Sequence, residues 1–239
     1  MKTENGYLSR CLDGIAVKYD EIQVQKLIDF YHLMIEKNKV MNLTAITDFQ
    51  DAALKHFADS LSVLRFVDFK KEDKVLDIGT GAGFPGVPLK VFNPDTEFLL
   101  MDSVNKKLKF VDEAIENLGL KRISTIHGRA EDLAHDFHFR EKFDYVVSRA
   151  VANFSTLIEL CLPFVKLGGG FVAYKSGSAE EEVRHGKKSL KINGGRVEDI
   201  VSLNLNGEDM ERKLIFIRKI DETPIHYPRK AGIPSKEPL

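Results

Sequence analysis

The run Asp77-Ile-Gly-Thr-Gly-Ala-Gly-Phe-Pro-Gly86 gathers residues that could hold an extended ligand against the main chain. Gly79, Gly81 and Gly83 occupy every second position, and glycine lets a chain turn tightly and a ligand approach it closely. Gly81-x-Gly83-x-x-Gly86 also matches a dinucleotide fingerprint, a weak signal alone, and a purely structural glycine turn competes with it. Neighbouring residues narrow the choice. Asp77, two residues before the first glycine, can accept from loop amides or from a ligand ammonium, but would repel a pyrophosphate. Pro85 and Pro88 stand where the next helix should begin, and a proline lacks the amide donor a phosphate needs. Asp102 ends a second strand-like run and is placed to accept from both hydroxyls of a ribose; capping of the helix that follows is a compatible role.

S-adenosylmethionine has no phosphate to cradle, so the loop reads as a methyl-donor site. Two alternatives stand beside it: a nicotinamide-dependent oxidoreductase, and a non-catalytic RNA-binding or ribosome-assembly protein with a vestigial pocket. Gly128-Arg-Ala130-Glu131-Asp132 follows a third strand and is placed to read an adenine through a backbone amide at Ala130 or Glu131 or an acidic side chain; an ordinary acidic helix start fits the same residues. A fourth strand ends in Ser148-Arg149-Ala150, where an enzyme that methylates an exocyclic amine would carry Asp/Asn-Pro-Pro-Tyr. Carbon-5 pyrimidine methylation needs a nucleophilic cysteine, and Cys161 sits in the apolar stretch Leu160-Cys-Leu-Pro-Phe164 and reads as core. By elimination the acceptor already holds a free lone pair, as guanine N7 does. Catalysis would then rest on positioning and electrostatics.

The elements that must place these groups alternate. Strands are expected at Lys74–Asp77, Phe98–Asp102, Arg122–His127, Phe143–Ser148 and Phe171–Tyr174, with helices at 104–118 and 153–165, the latter stopped by Leu167-Gly-Gly-Gly170. This predicts an α/β, Rossmann-like, doubly wound and mostly parallel sheet. Val197–Leu205 and Lys213–Arg218 suggest an antiparallel pair at the end. Helical spacing of Ile22, Leu27, Phe30, Tyr31, Met34 and Ile35, and an amphipathic stretch at 48–66 opened by Asp48, make residues 1–70 a helical extension packed on the core. Residues 71–220 then form the catalytic domain, and 221–239 a basic tail.

With 239 residues, 43% of them hydrophobic and 30% charged, the chain suits one domain with a sizeable core. It shows no apolar run long enough for a membrane span and no signal core, and its two cysteines lie far apart. A cytoplasmic protein is expected. A net charge of -1 does not itself announce nucleic acid. Local charge does more: Arg184, Lys187, Lys188, Lys191 and Arg196 fall in an acid-free stretch, and Arg229, Lys230 and Lys236 mark the tail. Solvated loops explain such clusters as well as phosphate contacts do. His127, His135 and His138 have no metal-site spacing.

The assembled motifs resemble the small-subunit ribosomal RNA methyltransferase G family, also called the glucose-inhibited division protein B family. The resemblance runs through Asn42-Leu-Thr-Ala-Ile46, His56-Phe-Ala-Asp59-Ser60, the glycine loop to Pro88, Asp102-Ser103 with Lys106-Lys107, Gly128-Arg-Ala-Glu131, Ser148-Arg-Ala150 and the tail from Tyr227 to Leu239. It implies a class I S-adenosylmethionine-dependent fold and N7-methylation of a guanosine in small-subunit (16S) rRNA. The expected partner is that rRNA, free or in the 30S particle, and the expected state is a monomer. Donor contacts implied are Gly79, Phe84, Ala130, Glu131 and Arg149, with Asp102 on the ribose and Asp77, Gly81 and Ser103 beside them. Asn42, His56, Asp59 and Arg149 would surround the methyl-transfer step, although His56 and Asp59 also suit a satisfied core. Lys175, Lys187, Lys188, Arg229 and Lys230 are candidate RNA contacts.

Overall fold

The computed structural model describes residues 3–149, 152–205 and 212–239. Ala150 of the Ser148–Ala150 run lies outside them. The seven strands are β1 (Lys74–Ile78), β2 (Glu97–Asp102), β3 (Ile123–His127), β4 (Phe143–Arg149), β5 (Val165–Ser176), β6 (Gly195–Leu203) and β7 (Arg212–Lys219). They form one sheet in the order β3-β2-β1-β4-β5-β7-β6. The strands from β3 across to β5 are parallel, while β7 enters between β5 and β6 and runs antiparallel to both. The expected terminal pair thus exists, but its second strand lies inside the first.

Helices α1 (Glu4–Gly14), α2 (Glu21–Met41), α3 (Phe49–Ala52) and α4 (Asp59–Leu61) precede the sheet. Then come α5 (Gly86–Phe92), α6 (Asn105–Asn117), α7 (Ala130–Leu133), α8 (Phe154–Cys161), α9 (Ala179–His185), α10 (Lys187–Ile192) and α11 (Ile233–Lys236). One core joins the first helices to α5, α6 and one sheet face through residues such as Phe30, Phe57, Val87, Phe110 and Val147. The second core lies on the other face, under α8 and α10, around Leu157, Phe164, Phe171 and Ile215. Both faces are covered, as a parallel sheet requires.

Local chemistry explains the boundaries. Asp20 and Gln23 form a reciprocal capping box at the start of α2, and Asp48 and Asn153 cap α3 and α8. The expected single helix over 48–66 is broken. A π-helical turn, Ala53–Ala58, separates α3 from α4, and a 3-10 turn, Ser62–Arg65, ends the segment. The triglycine run does not stop a helix. α8 ends at Cys161, a 3-10 turn containing Pro163 follows, and Leu167–Gly170 lie within β5. The basic stretch 184–196 is no loop either: most of it folds as α9 and α10. Ile22, placed on the buried face by its spacing, is 68% exposed. No helix among the described residues is long and apolar enough to cross a membrane.

Candidate active site

The glycine loop crosses the carboxyl ends of β1 and β2, where open parallel sheets bind ligands. Asp77 is fully buried, and its Oδ2 accepts from the Gly86 amide at 2.8 Å, closing the loop. A Cβ on Gly86 would lie 2.8 Å from that oxygen and from Leu100, so only glycine lets α5 pack this closely on the sheet. Gly79 and Thr80 donate to the Met101 carbonyl. Asp102 gathers the neighbouring turns: Oδ2 accepts from the Gly81 amide and Oδ1 from Val104, each at 2.8 Å, while its carbonyl accepts from Gly128. Each carboxylate oxygen keeps further lone-pair capacity, so these bonds leave room for ribose hydroxyls. Ser103 is exposed beside it, and its carbonyl contacts His127 Nε2.

Two observations suit this loop to a donor lying across it. Gly81 is left-handed at φ 59°, and a Cβ there would meet only the Gly79 carbonyl, at 4.0 Å, so the space above is open. Asp77 Oδ1 is buried with no hydrogen-bond partner among the described residues. Burial pushes the Asp77 carboxyl up to about 7, although the Gly86 amide and the Arg149 charge pull the other way. A ligand cation would restore the ionised form. At the far side of the loop region, Ala130 is buried at the start of α7, and Glu131 Oε1 accepts from the Gly232 amide at 3.0 Å.

A second cluster stands over the end of β4. Arg149 NH1 donates to the Lys55 carbonyl (2.9 Å) and to Asp59 Oδ2 (3.1 Å), and NH2 reaches His56 Nδ1 (3.2 Å). Its guanidinium carbon lies 5.1 Å from the centre of the Phe84 ring, on which His56 stacks at 4.5 Å. Phe84 is itself buried among Phe30 and Phe57, so this loop residue is fixed by the helical extension. The π turn carries Lys55 and His56, and Asp59 follows directly; π turns recur at functional sites. A cavity of about 300 Å³ opens beside these groups, bounded by His56, Asp59, Arg149, Tyr174, Lys175 and Arg212.

Because arginine only donates, His56 Nδ1 must accept. Nε2 then carries the proton and donates to Thr44 Oγ1 at 2.9 Å, which also accepts from the Ile46 amide. Burial, and then the Arg149 charge, lower the His56 pKa to about 3. We expect nitrogen-correlated NMR to find His56 neutral and Nε2-protonated at pH 5; a titration near pH 6.5 would refute this arrangement. The stability consequence has a definite sign. Below pH 6.5 the unfolded chain binds a proton that folded His56 refuses, so acidification costs stability down to about pH 3. Asp77 runs oppositely, losing stability as pH rises from about 4 to about 7.

Several candidates lie elsewhere. Asn42 is exposed and left-handed at the C-cap of α2, outside the cavity lining, while Asn38 organises the turn by accepting from Leu43 and Thr44. Lys175, a candidate RNA contact, lines the cavity, where it pairs with Glu182 at 2.7 Å and donates to the Ala152 carbonyl. Arg229, another candidate RNA contact, makes a bidentate pair with Glu159, whose side chain is fully buried. Lys187, Lys188 and Lys230 are exposed. Thr44, Tyr174 and Arg212 were not singled out from sequence. Arg212 Nε sits 3.7 Å from Asp59 Oδ1, and the Tyr174 hydroxyl donates to the Ser60 carbonyl.

The strand order with its inserted antiparallel β7, the glycine loop and the acid ending β2 define a class I S-adenosylmethionine-dependent methyltransferase. Solved structures share this fold. A Haloferax volcanii putative methyltransferase, determined with its Trm112 activator, aligns at TM-score 0.56 and 14% identity over 85% of this chain and all of its own. A SAM-dependent methyltransferase from Aquifex aeolicus aligns at TM-score 0.53 and 18% identity over 71% of this chain and 93% of its own. Residues 23–215 match the family described as rRNA small subunit methyltransferase G, and the chain belongs to that family. The ribosomal RNA small subunit methyltransferase G of Lachnoclostridium phytofermentans is 49% identical over 99% of this chain and 98% of its own. That of Clostridium tetani is 45% identical over 97% of each.

Proposed function

We propose that this enzyme methylates N7 of a guanosine in small-subunit (16S) rRNA, free or within the 30S particle, as a cytoplasmic monomer. Family membership supports the ribosomal substrate. The observation that carries the N7 assignment is the absence of an available base among the described groups lining the cavity. Both ring nitrogens of His56 are engaged, Asp59 is held by Arg149, and Glu182 is paired with Lys175. Burial pushes the Cys161 thiol far up, which removes a thiolate nucleophile. The bound donor supplies an electrophilic methyl group, and guanine N7 can take it without first losing a proton. The chain's own part is to hold: Asp102 and the Gly79–Gly81 turn would seat the donor nucleoside, with Ala130 and Glu131 at its ring. Asp77 would face its ammonium, and His56, Asp59 and Arg149 would wall the acceptor base. Phosphate contacts fall to Lys187, Lys188 and Lys230.

The deciding experiment is deletion of the gene followed by mapping of 7-methylguanosine on small-subunit rRNA. One modified position is expected to disappear and to return on complementation. A modification pattern untouched by deletion would end this assignment.

A further inference from the structure

The segment from Thr223 to the end of the chain contains little regular structure, yet it is tied along its length to α7 and α8. Arg140 donates to the Thr223 and Tyr227 carbonyls and, from the same guanidinium, to the Ala134 carbonyl that closes α7. His135 Nε2 contacts the Pro228 carbonyl at 2.9 Å. Arg229 then plugs into α8: Glu159 accepts from its backbone amide (2.8 Å), Nε (2.9 Å) and NH2 (2.7 Å). Thr156 of the same helix donates to the Pro234 carbonyl. Between these anchors the Gly232 amide donates to Glu131 Oε1. α7 is a single turn, too short to hold its own shape, and its surroundings must hold it.

We propose that residues 223–239 are a brace that positions the Ala130–Glu131 turn for donor binding, with Gly232 as the contact and the Arg229–Glu159 pair as its anchor. This rests on the reading of that turn as part of the donor site. Gly232 and Arg229 are positioning residues, acting through Glu131. A segment serving only general stability would lower melting temperature without favouring donor over RNA. A brace acts on the donor term alone.

The test uses two variants. A chain ending at Lys230 removes Gly232 and keeps the Arg229–Glu159 pair. Gly232→Ala disturbs the contact more gently: the residue is left-handed at φ 84° and an added Cβ meets nothing within 4 Å, so only the backbone is penalised. Calorimetry should show S-adenosylmethionine binding about tenfold weaker in the shortened chain, as for the loss of one charge-assisted hydrogen bond, and weaker by a smaller factor in Gly232→Ala. Donor KM should rise while kcat at saturating donor stays unchanged in both variants, and affinity for an rRNA fragment should stay unchanged in Gly232→Ala. Amide exchange over 128–136 should quicken in both donor-free proteins. In a Glu131→Ala background either change should cost nothing more. Normal donor affinity in both variants, or an undiminished loss in the Glu131→Ala background, would overturn the brace alone. Normal affinity in Glu131→Ala itself would remove the donor-site reading of the turn, and the brace with it.

Discussion

Gly81→Asn should weaken S-adenosylmethionine binding by more than about a hundredfold while leaving the fold nearly intact. The two effects separate because of what surrounds the position. The backbone there is left-handed at φ 59°, a conformation that asparagine tolerates better than other side-chain-bearing residues. A Cβ meets only one protein atom, at 4.0 Å, so the free protein has little reason to object. The added side chain instead enters the space assigned to the donor, above the amide that Asp102 Oδ2 holds at 2.8 Å. Excluding the ligand should cost about 2.7 kcal/mol or more, two decades in affinity. Gly81→Val should lose binding equally, and it should also lose stability, because a β-branched residue is strained at positive φ. Calorimetry and thermal melts of the pair are the measurement. Donor affinity within about threefold of the parent in Gly81→Asn would mean that the ligand does not cross this turn.

Arg149→Lys should lower kcat/KM by about a hundredfold although the charge is kept. One planar guanidinium serves the Lys55 carbonyl, Asp59 and His56 and lies over the Phe84 ring. An ammonium is a point charge on a flexible stem and cannot make that set. Losing two charge-assisted bonds in the wall of the site corresponds to about 2.7 kcal/mol of activation energy. Arg149→Ala should do more harm to the fold, because the Asp59 side chain is 5% exposed and, among the described residues, would keep the distant Arg212 as its one cation. Breaking such a pair costs about 3 kcal/mol, which for a chain of this size lowers the melting temperature by about 6–12 °C. Adding Asp59→Asn to Arg149→Ala should recover part of that stability and none of the activity. Parental kcat/KM in Arg149→Lys would show that the hydrogen-bond geometry is irrelevant to transfer.

The loop half of the site was legible in the sequence because it is local. Asp77, the alternating glycines and Asp102 sit at strand ends that hydrophobic runs mark out, and the class I fold follows from those runs. The wall of the cavity was less so. Arg149 meets Lys55, His56 and Asp59 across some ninety residues, and without the family resemblance His56 and Asp59 read as core. Arg212 joins them only because β7 inserts beside β5, a choice that strand patterning does not reveal. The Arg229–Glu159 pair is not legible either, because a charge count says nothing about a partner. A clue was present in Glu159, a lone acid within the apolar run Leu157-Ile-Glu-Leu-Cys161, since such an acid must find a cation once buried.

The π turn at Ala53–Ala58 also bears on insertions and deletions. Such a turn behaves as a helix holding one residue too many. Deleting one residue from it would regularise the helix, and every side chain on one side would rotate by about 100° relative to those on the other. His56 and Asp59 would then no longer both reach Arg149, even with every contacting residue retained. The count of residues between Asp48 and Asp59 is therefore as much a part of this site as their identities. A family member that keeps the histidine and the aspartate but has lost one residue from this stretch should be unable to assemble the same cavity wall.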